Sequence, residues 1–213
     1  MGKNKKESFF WTSYSDLMTS LFFVMLTLFI LTVALMKKQS KATEDQLKKI
    51  KEIEASIDKI DTTYFEYDQI HKKHILKIDV SFNSYSFNIQ DVSISDQVRL
   101  EKAGNVIYNF VKNSIPEAKY LLIIEGQSSS DNYNKDDFKN NYVLSYQRAK
   151  ALYDFWSNKH VLLNDGNKCE VIISGSGEHG SLRKVPDNRW NKANQRFLIH
   201  IIPKPGIFGN RKP

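Results

Sequence analysis

The sequence feature that constrains this chain most is an uninterrupted apolar run near its N-terminus. Leu17 to Met36 contains no charged residue, and its polar members are Thr19, Ser20, Thr27 and Thr32. About 20 apolar residues, at roughly 1.5 Å of helix each, span a bilayer core of about 30 Å. The run therefore predicts one membrane-spanning helix. We place it at residues 9–36, after a polar tail at 1–8, because Phe10-Trp11 is typical of a membrane interface.

Basic residues flank the apolar run on both sides, at Lys3, Lys5, Lys6, Lys37, Lys38 and Lys41. No small-residue cleavage site follows the run, so we interpret it as an uncleaved anchor rather than a signal peptide. Because both flanks are basic, charge does not decide which end faces the cytoplasm. The formal net charge is +7, but basic and acidic residues are mixed along the chain, and no nucleic-acid partner is expected.

One ionisable side chain, Asp16, stands directly before the apolar run. Asp is a favoured N-cap residue, and a helix that begins at Leu17 uses it in that way. If the helix begins earlier, Asp16 lies inside the membrane-spanning segment. A carboxylate at membrane depth is costly and usually faces a bundle interior or an ion path. Position alone leaves both interpretations open, and the preceding Phe10-Trp11 pair favours the ion path.

Residues 37–73 form a segment rich in Lys and Glu, without Gly or Pro. Apolar residues recur there at spacings of three and four, the a/d pattern of a coiled coil, at Ile50, Ile53, Ile57, Ile60, Tyr64 and Tyr67. Two interpretations of this linker helix remain open. The seam either pairs with a second chain or packs on the chain's own C-terminal domain. We favour pairing, and hence a homodimer, because the helix leaves the membrane before any domain is available to receive it.

From His74 the hydrophobic pattern alternates, and we assign residues 74–203 to a C-terminal domain and 204–213 to a tail. Alternation at 76–82 and 85–89 predicts a β-hairpin with Asn83-Ser84 in its turn. The pattern then predicts two helices and three strands, with helices at 98–111 and 140–158 and strands at 120–124, 171–173 and 197–202. Strands alternating with helices are typical of a two-layer α/β sandwich. The predicted fold class is thus a single N-terminal transmembrane helix, a coiled-coil linker helix and an α/β sandwich domain.

The second predicted helix carries the side chains best suited to bind a ligand. Asn141, Leu144 and Arg148 are spaced i, i+3 and i+7, so they share one face. Arg148 offers a planar fork of donors that matches a carboxylate, and Asn141 can both donate to and accept from a peptide amide. Such a face suits a short acidic peptide. Without further information, a solvated Arg and a core Leu explain the same residues more simply.

The N-terminal segment resembles the start of the MotB-type stator subunits. Their aromatic entry and Tyr-x-Asp-(Leu/Phe)-Met-Thr signature are matched by Phe10-Trp11-Thr12-Ser13-Tyr14-Ser15-Asp16-Leu17-Met18-Thr19. The resemblance implies that Asp16 carries the ion of an ion-driven motor, with H+ as the expected ion and Na+ as the alternative. It also implies a homodimer inside a pentameric ring of a MotA-like multi-span subunit in the bacterial inner membrane. The N-terminus is then cytoplasmic and the C-terminal domain periplasmic.

A second resemblance covers about residues 75–202, which look like the OmpA-type peptidoglycan-binding domain. The matching segments are Ile124-Glu125-Gly126, Asn141-Tyr142-Val143-Leu144-Ser145-Tyr146-Gln147-Arg148-Ala149, Gly175-Ser176-Gly177-Glu178 and Asn194-Gln195-Arg196. The resemblance implies that Asn141, Leu144 and Arg148 bind the peptide stem of peptidoglycan.

Two positions depart from the OmpA-type pattern. Gln127-Ser128-Ser129 stands where the family has His-Thr-Asp, so the aspartate that pairs with the ammonium of diaminopimelate is absent from its place. Gln195 replaces an Arg in the closing motif. Asp131, in the long polar loop that follows, is a candidate substitute for the missing acid. Asn140 and Arg196 are further candidate peptidoglycan-binding residues.

No pattern of an enzyme or a metal site emerges from the sequence. The five histidines are scattered without ligand spacing to Cys169, the single cysteine, and no Walker-type phosphate loop is present. We therefore expect a non-enzymatic protein with no cofactor besides the transported ion.

Thr12 stands where flagellar stators more often have Lys, which favours the B component of a Zorya anti-phage motor. In that role the protein acts on cytoplasmic effectors through the partner ring. The alternatives are a flagellar stator subunit and a passive cell-wall tether.

Overall fold

The computed structural model describes residues 4–58, 60–78, 80–83, 85–114, 118–130, 138–164, 166–188 and 191–204, with the side chains of 4–10 and 138–140 left out. The chain divides into two compact units, Met1–Lys49 and Ile50–Pro213. The first is purely helical over its described residues. The second holds the sheet and two further helices.

Helix α1 runs without a break from Asn4 to Ile57, a stretch that contains neither Gly nor Pro. Among the described residues it is the one helix long and apolar enough to cross a membrane, and its apolar window is not buried by the rest of the chain. Four hydroxyl groups in it donate to carbonyls three or four residues earlier, those of Thr19, Ser20, Thr27 and Thr32. These bonds satisfy polar side chains without a partner helix.

The last turns of α1 belong to the second unit and pack in its core. Ile53, Ile57 and the following Ile60 are each at most 5% exposed. The helix ends at Ile57, whose carbonyl accepts a hydrogen bond from His74 Nε2 at 3.2 Å. Packing on the chain's own domain, one of the two interpretations of the apolar seam, therefore holds for this part. Pairing of two chains stays a prediction.

The second unit contains a five-stranded mixed sheet with strand order β1-β2-β5-β3-β4. The strands are β1 Phe65–Asp68, β2 Lys73–Leu76, β3 Tyr120–Gly126, β4 Cys169–Gly175 and β5 Phe197–Pro203. Among the described strands only β3 and β4 pair in parallel, and α3, Phe138–Asn158, makes the crossover between them. The other long helix, α2, spans Ile94–Asn113, and short 3-10 turns lie at Ile89–Asp91 and Lys192–Asn194.

One hydrophobic core lies between the sheet and the two helices. Alternate residues of β3 contribute Tyr120, Leu122 and Ile124, which are fully buried. Trp156 of α3 is also fully buried, and its Nε1–H donates to the Leu100 carbonyl of α2 at 2.7 Å. A sheet that buries one face against helices is a two-layer α/β sandwich, so the predicted fold of an N-terminal apolar helix followed by an α/β sandwich domain is confirmed.

The β-hairpin predicted at 76–89 is wrong. The hairpin of this region is β1–β2, with Phe65 opposite Leu76, and it begins inside the range 37–73 that the sequence assigned to the linker. After β2, Ile78, Val80 and Phe82 are indeed buried, but the described residues there join no strand ladder. Alternation reports which side chains are buried and does not identify a strand partner.

Candidate functional site

The site is built where α3 crosses the ends of β3 and β4. Gly126 and Gly175 are partners in the parallel ladder at those ends. A Cβ at Gly126 would lie 2.1 Å from the Ser145 carbonyl oxygen, and one at Gly175 would lie 2.5 Å from the Tyr146 nitrogen. Real Cβ atoms do not approach backbone that closely. The two glycines therefore let the helix backbone rest directly on the strand ends.

Ser145 fixes the loop after β4 to this crossing. Its hydroxyl accepts a hydrogen bond from Gly177 N–H at 2.9 Å and donates to the Tyr142 carbonyl at 2.9 Å. Gly177 has φ +59°, a left-handed conformation that favours glycine. Ser145 of the helix motif and Gly177 of the later loop motif thus have a structural explanation. They position α3 against the strand ends.

Arg148, two turns beyond Asn141 on α3, is the charged group of this crossing. Arg148 is 3% exposed, and its guanidinium lies over the ring of Phe82, 4.6 Å from the centroid. Its Nε donates to the Ser86 carbonyl at 3.0 Å. Burial lowers the pKa of Arg148 to about 10, against the opposing effect of Asp91, so the group stays charged at neutral pH.

The terminal nitrogens of Arg148 retain binding capacity. Among the described residues these nitrogens have no hydrogen-bond partner, and they are not fully enclosed. A guanidinium held by its Nε and stacked on an aromatic ring is pre-organised, and its free edge can take a carboxylate in a bidentate manner.

The loop over Arg148 is held together by Asp91, the last residue of the 3-10 turn that packs on α3. The Asp91 carboxylate accepts from Asn83 N–H at 3.2 Å and from Asn83 Nδ2 at 3.0 Å. The hydroxyl of Ser86, these bonds and the positive charge of Arg148 lower the pKa of Asp91 below its ordinary value. Sequence reasoning missed Asp91, because no local pattern links it to a residue on α3.

The predicted binding residues occupy different places. Asn141, 9% exposed, and Leu144, partly buried, lie on α3 with Arg148, at spacings that put the three on one face. The side chain of Asn140 and the whole of Asp131 lie outside the described residues. Their binding roles, and those of the three residues on α3, stay predictions.

Arg196 is used inside the domain. Its Nε donates to Gln127 Oε1 at 3.1 Å, and Gln127 Nε2 in turn donates to the Ser181 carbonyl at 2.7 Å. Burial lowers the pKa of Arg196, and its Nη2 is enclosed without a hydrogen-bond partner in the described part of the chain. This position braces the loop after β4 against the start of β5, and a direct contact of Arg196 with a ligand stays a prediction.

The two departures from the OmpA-type pattern contact each other. Gln195 Nε2 donates to Ser129 Oγ at 3.1 Å, and Gln195 Oε1 accepts from Phe82 N–H at 3.2 Å. Phe82 is the residue whose ring supports Arg148. Where the OmpA-type pattern has an acid and an arginine, this chain has Ser129 and Gln195, a neutral hydrogen-bonded pair. Gln195 connects this pair to Phe82, whose ring lies against the Arg148 guanidinium.

A second group of charges, on β2, β3 and β5, was not predicted. Lys73 Nζ donates to Glu125 Oε2 at 2.7 Å and to Ser181 Oγ at 2.9 Å, and His200 Nε2 lies 3.9 Å from Glu125. Burial raises the pKa of Glu125, but hydrogen bonds led by Lys73 outweigh it and the pKa is lowered. Burial, then Lys73, lowers the pKa of His200 to about 4. These contacts join three strands and the loop at Ser181.

Asp16 lies inside α1, about three turns after the first helical residue, Asn4. The interpretation of Asp16 as an N-cap is therefore wrong. Across the described residues, no group of three or more His, Cys, Asp or Glu side chains is placed to hold a metal ion.

No protein-family model matches the chain, and the comparison with curated proteins gives no match. Solved structures do match. The periplasmic domain of Helicobacter pylori MotB is 17% identical with a TM-score of 0.46, covering 65% of this chain and 88% of that one. A putative MotB-like protein from Desulfovibrio vulgaris is 13% identical with a TM-score of 0.46, covering 78% and 99%.

The OmpA-like domain of FopA1 from Francisella tularensis is 18% identical with a TM-score of 0.41, covering 62% of this chain and 73% of that one. These likenesses are low in identity and in TM-score.

Proposed function

We propose that this chain is the single-span, ion-carrying subunit of a stator-type motor in the bacterial inner membrane, anchored to peptidoglycan by its sheet domain. The observation that carries the proposal is the combination of an acidic residue inside a membrane-length apolar helix with a separate domain that presents a buried arginine. Asp16 lies well within α1, next to apolar side chains that the chain itself leaves exposed, such as Leu17 and Leu21.

Ion transport requires a partner. A carboxylate facing lipid is costly, so we place Asp16 against a multi-span, MotA-like subunit that forms a pentameric ring around two copies of this chain. Proton binding removes the charge of Asp16 and changes which contacts with the ring are favourable. Each proton supplies about 2.3 kcal/mol per 100 mV of membrane potential. Whether the ion is H+ or Na+ depends on the partner's residues.

Wall binding is assigned to α3. The free edge of the Arg148 guanidinium takes a carboxylate of the peptide stem, with Asn141 and Leu144 on the same face. Anchoring is needed because a ring can deliver torque only against a fixed centre. The N-terminus is then cytoplasmic and residues 50–204 are periplasmic.

We infer the identity of the motor from Thr12 and the motif around Asp16, which favour the B component of a Zorya-type anti-phage system over a flagellar stator. In that role, rotation of the ring acts on cytoplasmic effector proteins. A passive tether uses the same sheet domain but has no need of Asp16.

Cells producing the full chain and its multi-span partner test the proposal. We expect Asp16→Asn to abolish phage protection while the protein still reaches the membrane and the cell wall. Full phage protection by the Asp16→Asn variant would exclude an ion-carrying role for Asp16 and leave the passive cell-wall tether as the interpretation. Loss of swimming, with phage resistance unchanged, would identify a flagellar stator instead.

The wall-binding part is tested by co-sedimentation of the full chain with purified peptidoglycan in detergent. Arg148→Ala removes a charge-assisted bidentate contact, and we expect a loss of binding of tenfold or more. Lys150→Ala on the same helix is the matched control and should bind normally, because Lys150 is exposed and forms a surface ion pair with Asp154. Equal binding by Arg148→Ala would refute this assignment.

A further inference from the structure

A cleft of about 430 Å³ lies on the face of the sheet that points away from α3, beside Arg196. The Cβ position of Gly126 faces Ser145 of α3, and side chains alternate along a strand, so that of Gln127 points to the other face. Gln127 N–H continues the strand ladder by donating to the Arg196 carbonyl, and the Arg196 side chain donates to Gln127 Oε1 at 3.1 Å. The cleft is therefore separate from the edge of Arg148 to which we assign wall binding.

Basic side chains predominate among the charged groups of this cleft. Four of them line it, Lys77, Lys184, Lys192 and Arg196, and Glu66 is the one acid among the described lining residues. The other described lining residues are mainly apolar. Four positive charges against one negative charge leave an excess of positive charge, and a recess with apolar walls concentrates the attraction that such an excess exerts on anions.

Arg196 supplies the buried charge of the cleft. It is 7% exposed and forms no ion pair within 4.0 Å with a described residue. Its Nη2 is enclosed without a hydrogen-bond partner in the described part of the chain, and its Nη1 has no partner there either but is not fully enclosed. Burial, then the charge of Arg183, lowers the pKa of Arg196 against the opposing effect of nearby acids. A buried guanidinium with an unpaired charge and unused donors is stabilised by an anion.

The three lysines of the cleft are exposed. Lys77 Nζ donates to the Thr62 carbonyl at 3.0 Å, whereas the ammonium groups of Lys184 and Lys192 have no partner among the described residues. Ammonium groups and a guanidinium are both donors that bind phosphate, the first as point charges and the second as a fork. A terminal phosphate carries up to two charges and three strong acceptor oxygens, so it can use several such donors at once.

We propose that this cleft binds a ligand through a terminal phosphate group, with Arg196 Nη1 and the ammonium groups of Lys184 and Lys192 as the donors. The site is independent of the proposed wall binding, which uses the opposite face of the sheet. The competing explanation is that the lysines are ordinary solvated charges and that Arg196 only braces Gln127. The two explanations differ in whether the cleft distinguishes a phosphate with two charges from one with a single charge.

Calorimetry on the full chain in detergent, at low ionic strength and without phosphate buffer, tests this distinction with two matched probes. One is glycerol 3-phosphate, a phosphate monoester, and the other is glycerophosphoglycerol, the corresponding diester and a lipid headgroup with one charge. At about pH 8, above the second pKa of a monoester at about 6, we expect the monoester to bind about tenfold more tightly. Equal affinities, or no binding of the monoester, would overturn the inference.

A double variant locates the binding in the cleft. Lys184→Gln combined with Lys192→Gln removes two donors, and we expect its affinity for glycerol 3-phosphate to fall about tenfold or more. Lys48→Gln combined with Lys102→Gln makes the same change in net charge at exposed positions outside the cleft and should bind as the wild type does. The same affinity in both double variants would place the phosphate elsewhere and refute the site.

A second measurement needs no variant, so it decides the matter even if a variant does not fold. Acetylation of lysines in the wild type is followed by mass spectrometry with and without glycerol 3-phosphate. With the ligand at about ten times its Kd, we expect acetylation of Lys184 and Lys192 to slow about tenfold and that of Lys102 to stay unchanged. Unchanged rates at Lys184 and Lys192 would contradict the assignment.

Discussion

The two units of this chain satisfy their side chains in opposite ways. In the sheet unit, Leu122 and Ile199 are completely buried, and buried polar groups such as Arg148 bond to other elements. In the N-terminal unit, Phe29 and Met36 are 65% and 70% exposed, and the hydroxyl groups bond to their own helix. One unit supplies its own packing partners, whereas the other leaves its apolar side chains exposed.

Under the proposed function, this difference separates wall anchoring from ion transport. The sheet unit has a complete hydrophobic core, so its site is positioned by internal contacts such as the one between Gly126 and Ser145. The described part of the N-terminal helix has no such core, so under the proposed function the surroundings of Asp16 come from another chain. On that proposal, substitutions act within the chain in the sheet unit and through assembly in the N-terminal helix.

The largest effect on folding is expected from Ile53→Ala, which tests the boundary between the two units on a single helix. Ile53 is 1% exposed, and its truncation should cost about 3 kcal/mol in the free energy of unfolding. Leu47→Ala, on the same helix at 51% exposure, should change it by less than about 0.5 kcal/mol. Denaturant unfolding of the full chain in detergent measures both. Equal costs at the two positions would mean that the N-terminal unit also packs at Leu47, for example against a second chain.

A smaller loss is expected from Gly126→Ala, which tests the close approach of α3 to the strand ends. The added methyl group forces the backbone at Ser145 to move, and we expect a cost of about 2–3 kcal/mol. Gly166→Ala is the control, because nothing lies within 4 Å of its Cβ position and only its positive φ of +71° opposes the change, by about 1 kcal/mol. If both variants unfold at the same temperature, the crossing is looser than described.

The smallest effect concerns the buried charges of the sheet unit. The pKa of His200 is lowered from 6.5 to about 4, so between these values the unfolded chain binds a proton that the folded chain does not. Stability due to this group is complete above about pH 6.5 and falls as the pH drops toward 4. The loss is about 1–2 kcal/mol after allowance for solvent screening.

His200→Gln removes this proton uptake. Relative to the wild type, the variant should gain about 1–2 kcal/mol between pH 7 and pH 4, measured by denaturant unfolding at each pH. Data above pH 7 supply the baseline. A difference between variant and wild type that does not change with pH would contradict the burial of His200.

The sequence was sufficient to predict elements with a strong local period. The alternation at Phe197 to Ile202 and the helical spacing of Asn141, Leu144 and Arg148 each led to an element that the structure contains. The prediction of the hairpin was wrong for a physical reason. Ile78, Val80 and Phe82 are buried, but the described residues of this segment pair with no strand.

Local sequence patterns could not predict most of the site's geometry. Arg148 and Ser86 are 62 residues apart, and Gln195 and Ser129 are 66 apart, so their contacts exist only once the sheet has formed. The importance of Gly126 also depends on a helix distant in the sequence. Patterns of residue type identified Arg148 as a candidate, but only the fold placed Phe82 and Asp91 around it.

The most direct test of the central claim is the ion flux that depends on Asp16. Cytoplasmic pH is recorded with a fluorescent indicator in cells that produce the full chain with its multi-span partner, during phage challenge and in sodium-free medium. The account predicts acidification with the wild type and background rates with Asp16→Asn at equal amounts of membrane protein. Identical acidification by the two chains would show that this carboxylate carries no protons.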